Sequence, residues 1–298
     1  MRVSNITSPF EARLGMMEAL KINLDAGFDA IDLSFHAKGC ALYAMDDPTP
    51  LIREMRAYVE SRGAVFNQAH ALFPGVRQDD RPDVDEYNQK TPLGIIKSIR
   101  MCQLLGIPQI VIHPIAFLGA SKEENLARNI EHYRPFVEVA KDAGVRILVE
   151  NMWGNHRDLR GRIVENVCSN GNELALYART IADVLDAKDN IGVLVDLGHT
   201  GLVGLCADDM IREVGGDLLY GIHLHDNDFL HDDHQMPFLC NMNFEQIIKA
   251  LIDVKYKGDI TFEVGKFYHG FPDELLGAAN RMMFEVGDYF RRRILSGK

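Results

Sequence analysis

Residues 142–151 read Asp142-Ala143-Gly144-Val145-Arg146-Ile147-Leu148-Val149-Glu150-Asn151. Gly144 follows a stretch with helical periodicity and supplies a helix stop. Ile147-Leu148-Val149 is apolar on successive residues, which suits a strand buried on both faces. The run then ends on a carboxylate, Glu150, and an amide, Asn151. A helix that stops at glycine and feeds a short buried strand is one unit of an alternating α/β fold.

Working outward, the same unit recurs. Candidate strands cover 3–7, 30–35, 65–71, 109–114, 146–151, 192–196, 220–225 and 259–264. Eight is the number that a closed parallel barrel needs. Helical stretches lie between them. Residues 11–26 carry an apolar stripe and stop at Gly27. Thr49-Pro50 opens a helix that Gly63 closes, and Ser121 with Glu124 has the spacing of a capping box. Residues 244–255 and 273–294 supply the last two helices. No Pro-, Gly- or Ser-rich linker divides the chain. The fold expected is therefore α/β, a (β/α)8 TIM barrel forming a single domain over 1–298. A doubly wound open sheet is the competing fold. The strand count and the lack of a glycine-rich phosphate loop after the first strand argue against it. The longest irregular stretches, 73–92 and 153–171, each follow a strand and are expected over the C-terminal mouth.

Composition narrows the function. The chain has 298 residues, 47% hydrophobic and 25% charged, as in an ordinary globular protein. Its 32 basic and 43 acidic side chains give a net charge of −11. Such a protein gains little from the phosphate attraction that dominates nucleic-acid affinity, so no nucleic-acid partner is expected. The same charge suits holding a cation, although solubility alone would also explain it. Cys40, Cys102, Cys168, Cys206 and Cys240 are scattered and form no CxxC pair, which reads as free thiols in a reducing compartment. No apolar run is long enough to cross a membrane, and Met1–Phe10 does not read as a signal peptide. A cytoplasmic protein is the expectation.

In a barrel of this type the C-terminal strand ends build the active site. From the third candidate strand to the eighth, those ends carry His70, His113, Glu150, Asp196, His225 and Glu263, and a following loop adds Asp232-Asp233-His234. Buried carboxylates need a cation or hydrogen-bonding partners. The bland alternative is a ring of ion pairs, with His70 and His113 as core histidines. Glu150, Asp196, His225 and Glu263 come from the last four strands and can converge on one metal. Three carboxylates and an imidazole favour a hard or borderline divalent ion, Mn2+ foremost, with Mg2+, Co2+ or Zn2+ as alternatives. His199, three residues beyond Asp196, can reach substrate or a second metal. His223 and His225 share a strand face. His225 is expected at the mouth and His223 in the layer below it. His36, His132, His156, His231 and His269 receive no role.

Val-Glu-Asn (149–151), Val-Asp-Leu-Gly-His (195–199), His-x-His-Asp-Asn-Asp (223–228) and Asp-x-His-x-x-Pro (232–237) resemble the xylose-isomerase-like barrel superfamily. That group includes sugar phosphate isomerases and epimerases, ketose 3-epimerases and endonuclease IV. The resemblance runs from Asn67 to Val264. From the epimerases it implies one metal on Glu150, Asp196, His225 and Glu263, acid–base roles for Glu150 and Glu263, and a substrate contact at His199. The epimerase arginine after the metal histidine is absent here, since Asn227 and Asp228 follow and no Arg precedes Pro237. From endonuclease IV the resemblance implies further ligand places at His70, His113, His199, Asp232 and His234. The loops expected at the mouth are acidic or mixed, unlike those of a duplex-binding enzyme. A cluster of His156, Arg157, Arg160 and Arg162 could instead grip a phosphate or carboxylate.

The function expected is a metal-dependent isomerase or epimerase of a sugar, sugar phosphate or polyol ketone, working by carboxylate proton transfer through a metal-stabilised enediolate. Glu150 and Glu263 are the catalytic pair. His199, His113, His70, His234 and Trp153 are the substrate-contacting set, with Phe73 as a second stacking candidate. A lyase or dehydratase using the same enediolate and an endonuclease IV-like zinc phosphodiesterase are the alternatives. The partner expected is a small sugar, with no membrane and with a homo-oligomer allowed.

Overall fold

The computed structural model describes residues 1–36, 40–73, 84–117, 119–159, 161 and 163–297. In chain order the strands are β1 (Val3–Ile6), β2 (Ala30–Ser34), β3 (Val65–His70), β4 (Gln109–Ile112), β5 (Arg146–Glu150), β6 (Trp153–Arg157), β7 (Ile163–Glu165), β8 (Ile191–Asp196), β9 (Leu219–His223) and β10 (Ile260–Phe262). Eight of them pair in parallel in the order β10-β1-β2-β3-β4-β5-β8-β9. The two ends of that sheet meet at Leu224 and Phe262, where Leu224 N donates to Thr261 O at 2.8 Å and Glu263 N donates to Leu224 O at 3.3 Å. Helices fill the connections. This is the (β/α)8 barrel read from the sequence.

Strand alternation explains where the site lies. Val111, Leu148 and Leu194, with Tyr220, form a small apolar cluster of their own inside the barrel. The main core, including Ile110, Ile147, Val149, Val193 and Val195, lies between strands and helices. Side chains two apart share a strand face. His113, Glu150 and Asp196 each follow an interior apolar residue by two, so each points into the barrel just above that plug.

The helices follow their local signals with two departures. The Ser121–Glu124 capping box forms, and Gly144 caps that helix at φ 67°. The stretch expected as one helix over 11–26 is two, Ser8–Leu14 and Met16–Ala26, because Gly15 takes φ 83° and ψ 165° between them. The stretches expected to be irregular are partly ordered. Residues from Val84 onward belong to the helix Val84–Leu105, and β6 and β7 form an antiparallel hairpin. All five cysteines are free thiols. Among the described residues no helix is long and apolar enough to cross a membrane.

Candidate functional site

Glu150 ends β5, Asp196 ends β8, His223 ends β9, and Glu263 follows β10. One ligand atom from each lies within 4.8 Å of the others. His223 Nδ1 is 3.2 Å from Glu150 Oε1, 3.0 Å from Glu263 Oε2 and 3.9 Å from Asp196 Oδ2. The imidazole of this group is His223, and the expected His225 stands in an adjoining group with His234 and Glu263. The reason is the strand end. β9 stops at His223, which pairs in register with Asp196, and the chain then turns along β10. His225 stands one level higher. Its Nε2 lies 2.9 and 3.0 Å from the two oxygens of Asp196, and its ring stacks on His234 with centroids 4.0 Å apart. Gly198 leaves room for it, because a Cβ there would fall inside the His225 ring.

Besides the set of His225, His234 and Glu263, two more groups flank this centre. His70, His113 and Glu150 form one, with His70 Nε2 2.9 Å from His113 Nε2 and His113 Nε2 2.8 Å from Glu150 Oε2. His199, Asp232 and His234 form the other, with Asp232 Oδ2 3.7 Å from His199 Nε2 and 3.2 Å from His234 Nε2.

This donor set suits divalent cations. His70, His199 and His234 each set Nδ1 against a backbone carbonyl, of Ala71, Asn151 and Glu263 at 2.8, 2.8 and 2.7 Å. Metal-ligating histidines are commonly anchored in this way, which fixes the other nitrogen on the ion. In each case Nε2 faces a carboxylate. Asp232 Oδ1 is buried and accepts no hydrogen bond, and buried Glu150 Oε2 has imidazole nitrogens of His113 and His70 beside it at 2.8 and 3.4 Å. His70 and His113 turn Nε2 atoms toward each other, and only one hydrogen fits between them.

The electrostatics depend on this crowding. Burial opposes ionisation of Glu150, yet His113, His223 and His70 outweigh it and hold the carboxyl well below its ordinary range. Glu263 behaves likewise, burial being overcome chiefly by His223 and then by His234. Burial also opposes charge on His223, but Glu263, Asp32 and Glu150 raise it. At His234 burial loses to Asp232 and Glu263, and the pKa is pushed up to about 10. At His113 burial wins over Glu150 and the pKa falls.

A 260 Å³ cavity opens onto these residues. Glu150, Glu263, His70, His113, His199, His234 and Trp153 all line it, and Phe73, Met152, Asn166 and Asp232 complete the walls. Asp196, His223 and His225 are fully buried and do not line it. Larger hollows lie at the opposite barrel end beside Arg146 and behind the hairpin beside Tyr177. Neither holds a group of metal-ligand type among the described residues, so chemistry selects the smaller cavity.

Residues 20–284 match the family described as xylose isomerase-like TIM barrel. The chain belongs to that family. A probable endonuclease 4 of Methanoculleus marisnigri is 28% identical over 199 residues, 66% of this chain and 64% of the relative. The matches span about half to two thirds of the length of the curated relatives. A D-tagatose 3-epimerase-like protein superposes with a TM-score of 0.74 at 19% identity, covering 99% of each chain. The IolI protein, solved with a bound zinc atom, superposes at 0.68 with 14% identity, covering 99% of this chain and 98% of that one. At such identities the structural likeness concerns the barrel.

Other residues of this xylose isomerase-like barrel are sorted by place. His36 stacks on Phe73 with centroids 4.8 Å apart, and burial pushes its pKa down to about 3. His132 lies behind His113, near its backbone carbonyl. His231 pairs with Asp228 on the outside. Arg157 donates to the carbonyls of Gly161 and Leu230, tying the hairpin to the loop after β9. Arg160 and Arg162 of the basic cluster lie outside the described residues, as does most of the acidic stretch around Arg77.

Proposed function

We propose that this chain is a metal-dependent isomerase or epimerase of a small keto-sugar, free or phosphorylated. The observation that carries the reading is the pairing of Glu150 and Glu263. Both line the cavity, their ligand atoms lie within 4.8 Å, and imidazoles keep both ionised. An ionised, water-poor carboxylate beside a substrate α-carbon is a general base. A divalent cation on Glu150, Asp196, His223 and Glu263 would polarise a substrate carbonyl and so acidify that carbon. One glutamate takes the proton, leaving an enediolate, and it or its partner returns a proton to a neighbouring carbon or the opposite face. His199 and His234 reach hydroxyls from one side and His70 and His113 from the other. Trp153 and Phe73 offer flat walls for the C–H face of a sugar. A cavity of 260 Å³ suits a monosaccharide better than a polymer.

The test is turnover of a panel of ketoses, inososes and their phosphates in D₂O. Exchange of an α-hydrogen on at least one of them supports the reading. No exchange on any, together with undiminished activity on a true substrate after both Glu150→Gln and Glu263→Gln, overturns it.

A second reading is a zinc phosphoesterase. It is favoured by the two flanking groups, which with the central four supply ligand-type residues for more than one ion, and by similarity to a probable endonuclease 4. Against a duplex substrate stand the net charge of −11 and the acidic Asp228, Asp232 and Asp233 beside the mouth. Metal stoichiometry and an abasic-site duplex separate the two. Cleavage that requires several bound ions and Glu263 promotes the second reading.

A further inference from the structure

We infer that Asp32 is a positioning residue that orients His223 and fixes which ring nitrogen faces the cation. This rests on the metal reading above. Asp32 sits in β2, fully buried, beneath the central group. Its Oδ2 lies 3.4 Å from His223 Nε2 and accepts Gln68 Nε2 at 2.8 Å. Its Oδ1 is buried and accepts no hydrogen bond. Burying a carboxylate with an unmet oxygen opposes folding, so fold stability alone does not account for this side chain.

The ring of His223 supplies an account. Nδ1 faces Glu150 and Glu263, so Nδ1 is the nitrogen that would meet a cation. A ligating nitrogen carries no hydrogen, which leaves the hydrogen on Nε2. Two groups touch Nε2, and they ask for opposite things. Asp32 Oδ2 can only accept. The Gln68 amide nitrogen, 3.0 Å from Nε2, can only donate. The orientation of that amide is set on both sides, because Gln68 Oε1 faces Gln109 Nε2 at 3.5 Å while Gln68 Nε2 donates to Asp32. Gln68 alone would favour a bare Nε2 and a hydrogen on Nδ1, where it would block the cation. Asp32 reverses that preference. It also makes the ring more basic toward an ion, as a carboxylate behind a ligating histidine does.

The experiment uses the full chain, stripped of metal, with Zn2+ as the probe and a chromophoric chelator as competitor. Asp32→Leu removes the acceptor and should weaken Zn2+ binding by about 10–100-fold, the usual effect of losing such a partner. Asp32→Asn retains an oxygen that can accept and should lose less. Gln68→Met removes the competing donor and should bind Zn2+ as tightly as wild type, or more tightly. Nitrogen-15 spectra of the Zn2+-loaded wild type should show His223 hydrogen-bearing at Nε2, a signature that mere loss of packing would not alter. Wild-type affinity in Asp32→Leu overturns the positioning role and leaves the metal reading intact. A wild type that binds no Zn2+ overturns the metal reading itself. Should Asp32→Leu fail to fold, Asp32→Asn and Gln68→Met decide, and tighter binding by Asp32→Asn than by Gln68→Met overturns the inference.

Discussion

His223 Nδ1 lies 3.0 Å from Glu263 and 3.2 Å from Glu150, so one imidazole links the two carboxylates proposed to move protons. The neighbouring His225 touches Asp196 instead. Two histidines separated by one leucine thus take different places in the same site.

That difference gives a first prediction. His223→Ala removes a proposed ligand and should abolish tight binding of a divalent ion. His225→Ala removes a group that orients Asp196 and should cost only about 10–100-fold in affinity. Titration of both variants with Zn2+ or Mn2+ checks the order. A greater loss in His225→Ala would return the ligand role to His225.

Glu150→Gln and Glu263→Gln should each lower turnover by about 10²–10⁴-fold, the usual share of a general acid–base group, with lost metal affinity adding to it. Circular dichroism should remain that of the folded barrel. Near-normal turnover in either variant removes that glutamate from the chemistry.

The metal-free protein should lose stability as pH rises. The His234 pKa is raised from 6.5 to about 10, so its charged form is favoured in the folded state. A raised folded pKa contributes stability that is complete below the unfolded value and lost as pH climbs through the folded one. Urea midpoints of metal-stripped protein should therefore fall between pH 6.5 and about 10, and His234→Ala should flatten the slope. A midpoint that rises over this range contradicts the pairing of His234 with Asp232 and Glu263.

Gly198→Ala should destabilise the protein and disturb the site, because the added methyl occupies the space of the His225 ring. Overpacking of this kind costs about 1–3 kcal/mol. Thermal unfolding measures the loss, and metal titration shows whether Asp196 has shifted with the ring. An unchanged melting temperature with unchanged affinity would mean that the ring moves aside freely.

The barrel and much of its mouth were legible in the chain. Ile147-Leu148-Val149 and the runs like it announce strands buried on both faces, and Gly144 and Ser121 mark helix ends through their own backbone geometry and side-chain reach. Those signals are local, so a linear reading captures them. Alternation then places His113, Glu150 and Asp196 inward, two residues above Val111, Leu148 and Leu194. The hairpin of β6 and β7 was not legible. Trp153–Arg157 contains Gly154 and no apolar alternation, and it pairs antiparallel with Ile163–Glu165.

The sequence by itself determined the eightfold alternation and most of the residues gathered at the strand ends, because strand parity and helix stops are written in neighbouring residues. The tertiary structure alone decided that His223 stands between Glu150 and Glu263 while His225 meets Asp196. Parity puts His223 and His225 on the same face, and the choice turns on where β9 stops pairing with β8 and Leu224 takes up Phe262. It also decided that Asp32, more than a hundred and fifty residues from His223 in the chain, lies behind that ring. Register between distant strands follows from closing the barrel, and no local stretch of sequence encodes it.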